Sequence, residues 1–269
     1  MSDILKQLLT TGTEPLPPRI LLYGVHGIGK STWASQKKYD PIYVPTEDGI
    51  RQLDVPKFPV AETWFELMKH LTILLKEDHE FRTLVIDTID WAEKLCERFV
   101  ADKAGKDTVM DIGFGKGQAA VRKEVGVMLD LLDRINKERG MVIILLGHCE
   151  SKTFNSPMSD PYDRYGLKMH ERTATLVEEW CDCELFVNYK IHVVKSENPM
   201  LPNKAKNKKE RVVYCNELPA FRAKNRYNLP DTMNFSYDEI LGAIYAEINR
   251  REKNPIDDEM PDWAQSENE

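Results

Sequence analysis

The sequence predicts an α/β protein in which helices flank a mostly parallel central sheet. Five apolar runs show little alternation, which is typical of strands buried on both faces: RILLYG, PIYVPT, RTLVIDT, MVIILLGH and CELFVNYKIHVV. Segments of helical period lie between them, so we expect successive strand-helix-strand units with right-handed crossovers. A lysine-rich connection between KIHVV and ERVVYCN predicts an antiparallel pair at the C-terminal edge.

Composition narrows the class of protein. Of the 269 residues, 42% are hydrophobic and 30% are charged, as in ordinary globular proteins, and no apolar run is long enough to span a membrane. We therefore expect a cytoplasmic protein without a membrane partner. The five cysteines lack paired CxxC spacing, which indicates reduced thiols rather than a zinc site. The net charge of −7 disfavours a general basic coat for duplex DNA but leaves a local basic channel open.

Periodicity predicts three long helices. The first, ETWFELMKHLTILLKE, is expected to bury Phe65, Met68, Leu71 and Leu75, and the second is WAEKLCERFVA. The third, VRKEVGVMLDLLDRINKERG, stops at Gly140. Together these elements predict a leader at residues 1–18, one large α/β domain at 19–250 and an acidic tail at 251–269, which we expect to be disordered.

Two further segments interrupt the regular pattern and are predicted to be long loops. Residues 101–118 are rich in glycine and carry three lysines and Phe114. Residues 151–166 follow the fourth strand. Loops of this length are usually functional or mobile.

GVHGIGKS, residues 24–31, follows an apolar strand and precedes a helical segment. This context fits a phosphate-binding loop, because backbone N–H groups and a helix N-terminus bind phosphate oxygens. Lys30 is expected to reach the β- and γ-phosphates of ATP, and Ser31 to bind Mg²⁺. The predicted nucleotide-binding residues are Gly24, Gly27, Gly29, Lys30, Ser31 and Thr32.

A carboxylate at the end of a buried strand supplies the second part of this site. Asp87 ends the run RTLVIDT, where it can lie beside Ser31 and support Mg²⁺. The next residue is Thr88, not a glutamate that would activate water. Glu47, just past the second strand, is the expected base, although the neighbouring Asp48 could exchange roles with it. Asp90 is expected to cap the following helix.

Two polar groups later in the chain complete the predicted site. His148 ends the fourth strand and is expected to sense the γ-phosphate. Lys224 and Arg226 lie in FRAKNRYNLP, where they could act on the phosphates of a neighbouring subunit as an arginine finger does.

The order of these parts resembles the RecA-like ATPase core. More narrowly, RILLYGVHGIGKSTWA, VPTEDGI, TLVIDTIDW, ILLGHCE and AKNRYNLP are similar to the phage-encoded RecA-like ATPases of the single-strand annealing (Sak-type) group. The resemblance covers about residues 19–230. It implies ATP-dependent binding and annealing of single-stranded DNA during phage recombination, in the host cytoplasm. It also implies a homo-oligomer with ATP at subunit interfaces, and a single-strand binding protein is a further possible partner.

In RecA-like proteins two flexible loops face the DNA, and the resemblance places them at residues 101–118 and 151–166. The residues then expected to contact DNA are Lys103, Lys106, Phe114, Lys116, Lys152, Phe154, Arg164 and Tyr165. The second segment has little basic charge, so stacking would have to contribute about 1–3 kcal/mol per base.

Other classes of nucleotide-binding protein fit less well or stay open. No guanine-binding NKxD sequence occurs, and residues 151–166 hold one arginine where a small-molecule kinase would need an arginine-rich lid. Two alternatives remain: an oligomeric ATPase acting on protein or duplex DNA, such as a helicase loader, and a nucleotide switch with little turnover.

Overall fold

The computed structural model describes residues 15–194 and 204–253. Within that part, a sheet of nine strands follows the order β2-β3-β4-β1-β6-β7-β9, with β5 paired to β4 and β8 paired to β6. The strands are β1 Arg19–Gly24, β2 Pro41–Pro45, β3 Thr83–Asp87, β4 Val142–Phe154, β5 Tyr162–Leu167, β6 Cys183–Val194, β7 Lys204–Tyr214, β8 Lys224–Asn225 and β9 Thr232–Asn234. In this spatial order, the strands from β2 through β3, β4 and β1 to β6 are parallel to their neighbours. Strands β7 and β8 pair antiparallel with β6, and β9 pairs antiparallel with β7.

This topology confirms the predicted fold class, an α/β core with a mostly parallel central sheet and antiparallel strands at its C-terminal edge. β4 lies between the strand that precedes the phosphate loop and the strand that ends in Asp87. The carboxyl ends of these parallel strands meet at one edge of the sheet, where ligands bind in open α/β folds. Both strand ends therefore contribute to one surface.

The helices cover both faces of the sheet. They are α1 Lys30–Ala34, α2 Trp64–Lys76, α3 Ile89–Lys103, α4 Lys116–Arg139, α5 Glu171–Trp180 and α6 Tyr237–Lys253, with 3₁₀ turns at Lys37–Tyr39 and Val109–Ile112. β1 shows the two-sided burial: Leu21 and Tyr23 join a core with α2 to α5, while Ile20 and Leu22 join one with α1 and α6. Such burial explains why the strand lacks alternation.

The buried face of α2 differs from the prediction. Phe65 is 72% exposed, whereas Trp64 and Leu67 are buried together with Leu71 and Leu75. The predicted buried face was rotated relative to the observed one, because Phe65 is a large apolar residue that this helix leaves in solvent. The predicted end of α4 at Gly140 is confirmed. The buried face of this helix carries Val121, Val125, Met128, Leu132 and Ile135.

The segment 151–166 is not the long loop that was predicted. β4 continues to Phe154 and pairs antiparallel with β5, so a hairpin projects beyond the sheet, with Phe154 opposite Tyr162. In the segment 101–118, α3 continues to Lys103, and the Val109–Ile112 turn and the start of α4 occupy much of the rest. The prediction failed because short polar strands and turns carry no strong periodicity.

Part of the predicted organisation lies outside the described residues. This applies to most of the leader, to the tail beyond residue 253 and to residues 195–203 of the lysine-rich connection. The proposed domain limits of 19 and 250 therefore stay predictions. Within the described ranges, no helix has the length and apolarity needed to cross a bilayer.

Candidate functional site: a phosphate loop facing a buried aspartate

The loop between β1 and α1 has the backbone of a phosphate cradle. Gly27 and Gly29 have φ angles of 73° and 100°, in the region that favours glycine, and Gly29 directly precedes α1. Gly24 meets a different constraint, because a Cβ there would lie 2.1 Å from the carbonyl oxygen of Val187. The glycines therefore permit both the turn and its close packing on β6.

Lys30 is held at the centre of this loop. Its Nζ donates to the carbonyl oxygens of Gly24 at 3.1 Å and Val25 at 3.2 Å, and the residue is 6% exposed. Burial lowers the pKa of Lys30, while nearby acidic groups, among them Asp87 and Glu47, oppose the shift. A cation so placed would gain strongly from phosphate oxygens, because water stabilises it little.

Asp87 faces Ser31 at the end of β3. The residue is 4% exposed, its Oδ2 has no hydrogen-bond partner, and burial raises the pKa of this carboxyl group although the Ser31 hydroxyl opposes the rise. A buried oxygen without a partner is costly, so a cation beside it would be stabilising. The donor set fits Mg²⁺, which is commonly held by one or two carboxylates together with substrate phosphates.

Glu47 lies next to Asp87 because β2 and β3 are adjacent. Its Oε1 accepts a hydrogen bond from Thr88 Oγ1 at 3.2 Å. Thr46 supports this arrangement, since its hydroxyl donates to the Thr88 carbonyl at 2.7 Å and accepts from the Thr88 N–H at 2.8 Å. Asp48 is exposed and paired with Arg51, which favours Glu47 as the carboxylate that faces the cleft.

His148 is held in place by Asp90, which was predicted to cap the following helix. Asp90 Oδ1 accepts from the His148 backbone N–H at 3.0 Å, and Asp90 Oδ2 lies 3.0 Å from Nδ1. These contacts outweigh burial and lower the pKa of Asp90. Asp90 is therefore not the helix cap: Thr88 occupies that position, without a side-chain cap bond. Two aspartates three residues apart after a strand were the available sequence signal.

His148 in turn faces the phosphate loop. Its Nε2 lies 3.5 Å from His26 Nδ1 and 3.9 Å from Glu47 Oε1. These groups surround a cavity of about 370 Å³, which is lined by His26, Gly27, Gly29, Lys30, Ser31, Thr32, Glu47, Gly49, Gln52, Leu53, Asp87, Thr88 and His148. The predicted phosphate, metal, base and sensor residues are thus brought together.

Lys224 and Arg226 lie elsewhere. β8 pairs with the beginning of β6, so both residues are at the amino edge of the sheet, opposite the phosphate loop. Lys224 Nζ donates to the carbonyl oxygens of Glu178, Glu179 and Cys181 at the end of α5, and Arg226 pairs with Asp182 at 3.2 Å. They cannot act on the phosphate site of their own chain, and action on a neighbouring subunit stays a prediction.

The first predicted DNA segment presents its side chains to solvent. Phe114 is fully exposed with a φ of 51°, and Lys103, Lys106 and Lys116 are exposed. Lys103 has a 3.8 Å ion pair with Glu124. No ion pair of Lys106 or Lys116 occurs within the described ranges, so their charges are available to a ligand.

The second predicted DNA segment uses its side chains internally. Lys152 Nζ donates to the Met169 carbonyl at 2.8 Å, and Arg164 is 8% exposed and pairs with Glu217 at 2.7 Å. The Arg164 guanidinium also lies 5.0 Å from the ring centre of Phe154. Tyr165 stacks on Phe186 of the core at 5.3 Å. In this conformation, these four groups support the hairpin.

The topology and the cleft are those expected of a P-loop nucleotide-binding domain. A family model described as an AAA domain matches residues 16–227, and the chain belongs to that family. No curated protein matches the chain. A similar solved structure is the crystal structure of the RadB recombinase, with 16% sequence identity, a TM-score of 0.46, and coverage of 82% of this chain and 90% of that one.

Proposed function

We propose that the protein hydrolyses ATP with Mg²⁺ and uses ATP binding to control its attachment to single-stranded DNA, which it anneals during phage recombination. The single observation that carries the ATPase proposal is the cleft in which Lys30 and Ser31 face Asp87, whose buried Oδ2 lacks a partner. Glu47 and His148 lie in the same cleft, where a γ-phosphate and an attacking water would be placed.

Each group in the cleft has a defined task in this proposal. Loop amides and Lys30 bind the phosphates, and Ser31 with Asp87 would hold Mg²⁺, which neutralises charge that develops on the phosphate oxygens. Glu47 orients the attacking water and accepts its proton, and the Thr88 hydroxyl fixes the carboxylate. Asp90 holds His148 so that Nε2 points toward the phosphate side.

The DNA part of the proposal is supported by residues 101–118. This segment begins in the last turn of α3, a helix that starts directly after Asp87 and Thr88, so α3 connects the metal site to the exposed lysines. Lys106, Lys116 and Phe114 offer charge for the phosphates and a ring for base stacking. A homo-oligomer with ATP at its interfaces, completed by Arg226, and contact with a single-strand binding protein belong to the same proposal.

A second candidate is an ATPase that acts on protein or duplex DNA, as a helicase loader does. The internal pairing of Lys152 and Arg164 favours it, because it leaves the hairpin with little charge for single strands. A nucleotide switch with little turnover would share the cleft but not the action of Glu47.

Two measurements test the proposed function. Replacing Glu47 with Gln should keep ATP binding and slow turnover by about 100-fold, whereas the control Asp48→Asn should retain nearly normal turnover. Fluorescence anisotropy with a labelled oligonucleotide should then detect binding that depends on ATP and weakens with salt. Wild-type turnover in Glu47→Gln would contradict the assigned base, and absence of single-strand binding would favour the second candidate.

A further inference from the structure

A second cavity lies beside the phosphate cleft, toward the antiparallel edge of the sheet. Its volume is about 290 Å³, and its lining residues are Thr32, Trp33, Gln36, Arg211, Phe235, Ser236, Tyr237 and Asp238. Thr32, in the first turn of α1, lines both cavities. A ligand that begins at the phosphate loop can therefore extend into this space along one side of α1.

Arg211 reaches the phosphate loop from β7. Its Nη1 donates to the carbonyl oxygen of Ile28 at 3.0 Å, and its guanidinium carbon lies 4.8 Å from the ring centre of Phe235. A Cβ at Gly29 would come within 2.8 Å of Nη1 and 3.8 Å of the Phe235 ring. The phosphate loop therefore has a planar cation and an aromatic ring directly against its last glycine.

Trp33 provides a rigid wall for the same cavity. It is 5% exposed, and its ring stacks on Phe235 with an interplanar angle of 15° and centroids 6.0 Å apart. Its buried Nε1 has no hydrogen-bond partner. At the rim, the charge of Asp238 is balanced by Lys38 at 2.7 Å. The cavity thus combines flat aromatic surface with the guanidinium of Arg211.

We propose that this cavity binds the nucleoside part of the nucleotide, with the base stacked against Arg211 and Phe235. The inference rests on the proposed function, because the phosphates of the same molecule would lie on the loop around Lys30. Planar guanidinium groups and aromatic rings bind the faces of bases through stacking and cation–π contacts. A purine offers a larger face than a pyrimidine, so ATP should bind more tightly than CTP.

The proposal assigns the base and the phosphates to different residues, so calorimetry with ATP and with inorganic triphosphate can measure the two contributions to affinity. ATP and inorganic triphosphate would each be titrated into the wild-type chain, Arg211→Ala and Phe235→Leu, in the presence of Mg²⁺. Each variant should bind ATP about 5- to 100-fold more weakly, which is the range for losing one stacking contact, while triphosphate affinity stays within two-fold. The preference of the wild type for ATP over CTP should shrink in both variants.

Two controls distinguish the possible failures. Lys30→Ala should weaken ATP and triphosphate together, and if it changes neither, the proposed function itself fails. If Lys30→Ala behaves as expected but Arg211→Ala and Phe235→Leu bind ATP as the wild type does, the nucleoside site is overturned. Equal loss of ATP and triphosphate in the two variants would also overturn it, since that would show damage to the loop. Circular dichroism identifies a variant that fails to fold, and Phe235→Leu, which preserves apolar volume, then decides alone.

Discussion

The two edges of the parallel sheet use charged residues in opposite ways. At the amino edge, the Arg19 guanidinium bonds to Asp182 and Asp133, and Arg226 also reaches Asp182. At the carboxyl edge, Asp87 is buried with an oxygen that lacks a partner. Charged side chains that pair with one another stabilise the fold, whereas a charged side chain with an unpaired polar atom is available to bind a ligand. The same distinction separates residues 101–118 from the β4–β5 hairpin.

The largest effect is expected at Asp87, where a substitution should slow ATP turnover without lowering stability. Asp87→Asn should slow Mg²⁺-dependent ATP turnover by about 100-fold or more, because the metal would lose its carboxylate. Burial raises the pKa of Asp87, so ionisation of this group at pH 7 weakens folding, and the neutral amide should leave the free energy of unfolding unchanged or raise it. A turnover assay and urea denaturation measure the two quantities. If Asp87→Asn were strongly destabilised but kept normal turnover, Asp87 would be a residue that stabilises the fold and not one that binds a ligand.

Asp182 at the amino edge should show the opposite behaviour. Asp182→Ala removes the acceptor of the Arg19 backbone N–H and guanidinium, and should lower the free energy of unfolding by about 2–4 kcal/mol. ATP affinity of the folded variant should stay normal. Urea denaturation and calorimetry check both, with Asp54→Ala, which removes an exposed pair with Lys37, as the control expected to change little. A large loss of ATP affinity would contradict the division between the edges.

Glu93, a buried carboxyl group of α3, should make the free energy of unfolding depend on pH. Burial raises the pKa of this α3 carboxyl group to about 7. The folded state therefore holds the proton more tightly than the unfolded state, and the contribution of Glu93 to the free energy of unfolding should fall by up to about 3 kcal/mol as the pH rises from about 4.5 to 7. Glu93→Gln should flatten that part of the profile, whereas Glu97→Gln should keep it. Urea denaturation between pH 4.5 and 8 measures the slope, and an unchanged slope in Glu93→Gln would show that another group titrates.

The smallest predicted effect concerns the two candidate DNA segments. Replacing Lys106 and Lys116 together by Ala should weaken single-strand binding about tenfold at moderate salt and reduce the salt slope by about 1.4, as expected for two lost phosphate contacts. Lys152→Ala should lower stability, because it leaves backbone carbonyls without a donor, and should change DNA affinity less than two-fold. Anisotropy over a salt series compares them. The reverse pattern would move the interface to the hairpin.

The sequence predicted strongly patterned features well and paired polar residues poorly. Uniform apolar runs predicted the parallel sheet, and GVHGIGKS predicted the loop, because local rules determine both. The partners of Asp90 and Arg211 are 58 and 183 residues away, so no local pattern contains them. Phe65 was assigned to the core because side-chain type alone does not determine helix phase. Lys152 and Arg164 of the hairpin were expected to contact DNA, because their partners Met169 and Glu217 lie outside the hairpin and no local pattern indicates them.

Calorimetric titration of Mg²⁺-ATP tests the central claim most directly, by comparing Lys30→Ala at the carboxyl edge with Asp182→Ala at the amino edge. Wild type and folded Asp182→Ala should bind ATP alike. Lys30→Ala should bind at least about tenfold more weakly, because it loses a charge-assisted contact with the phosphates. A folded Lys30→Ala variant with wild-type affinity would contradict the assignment of the nucleotide site to this cleft.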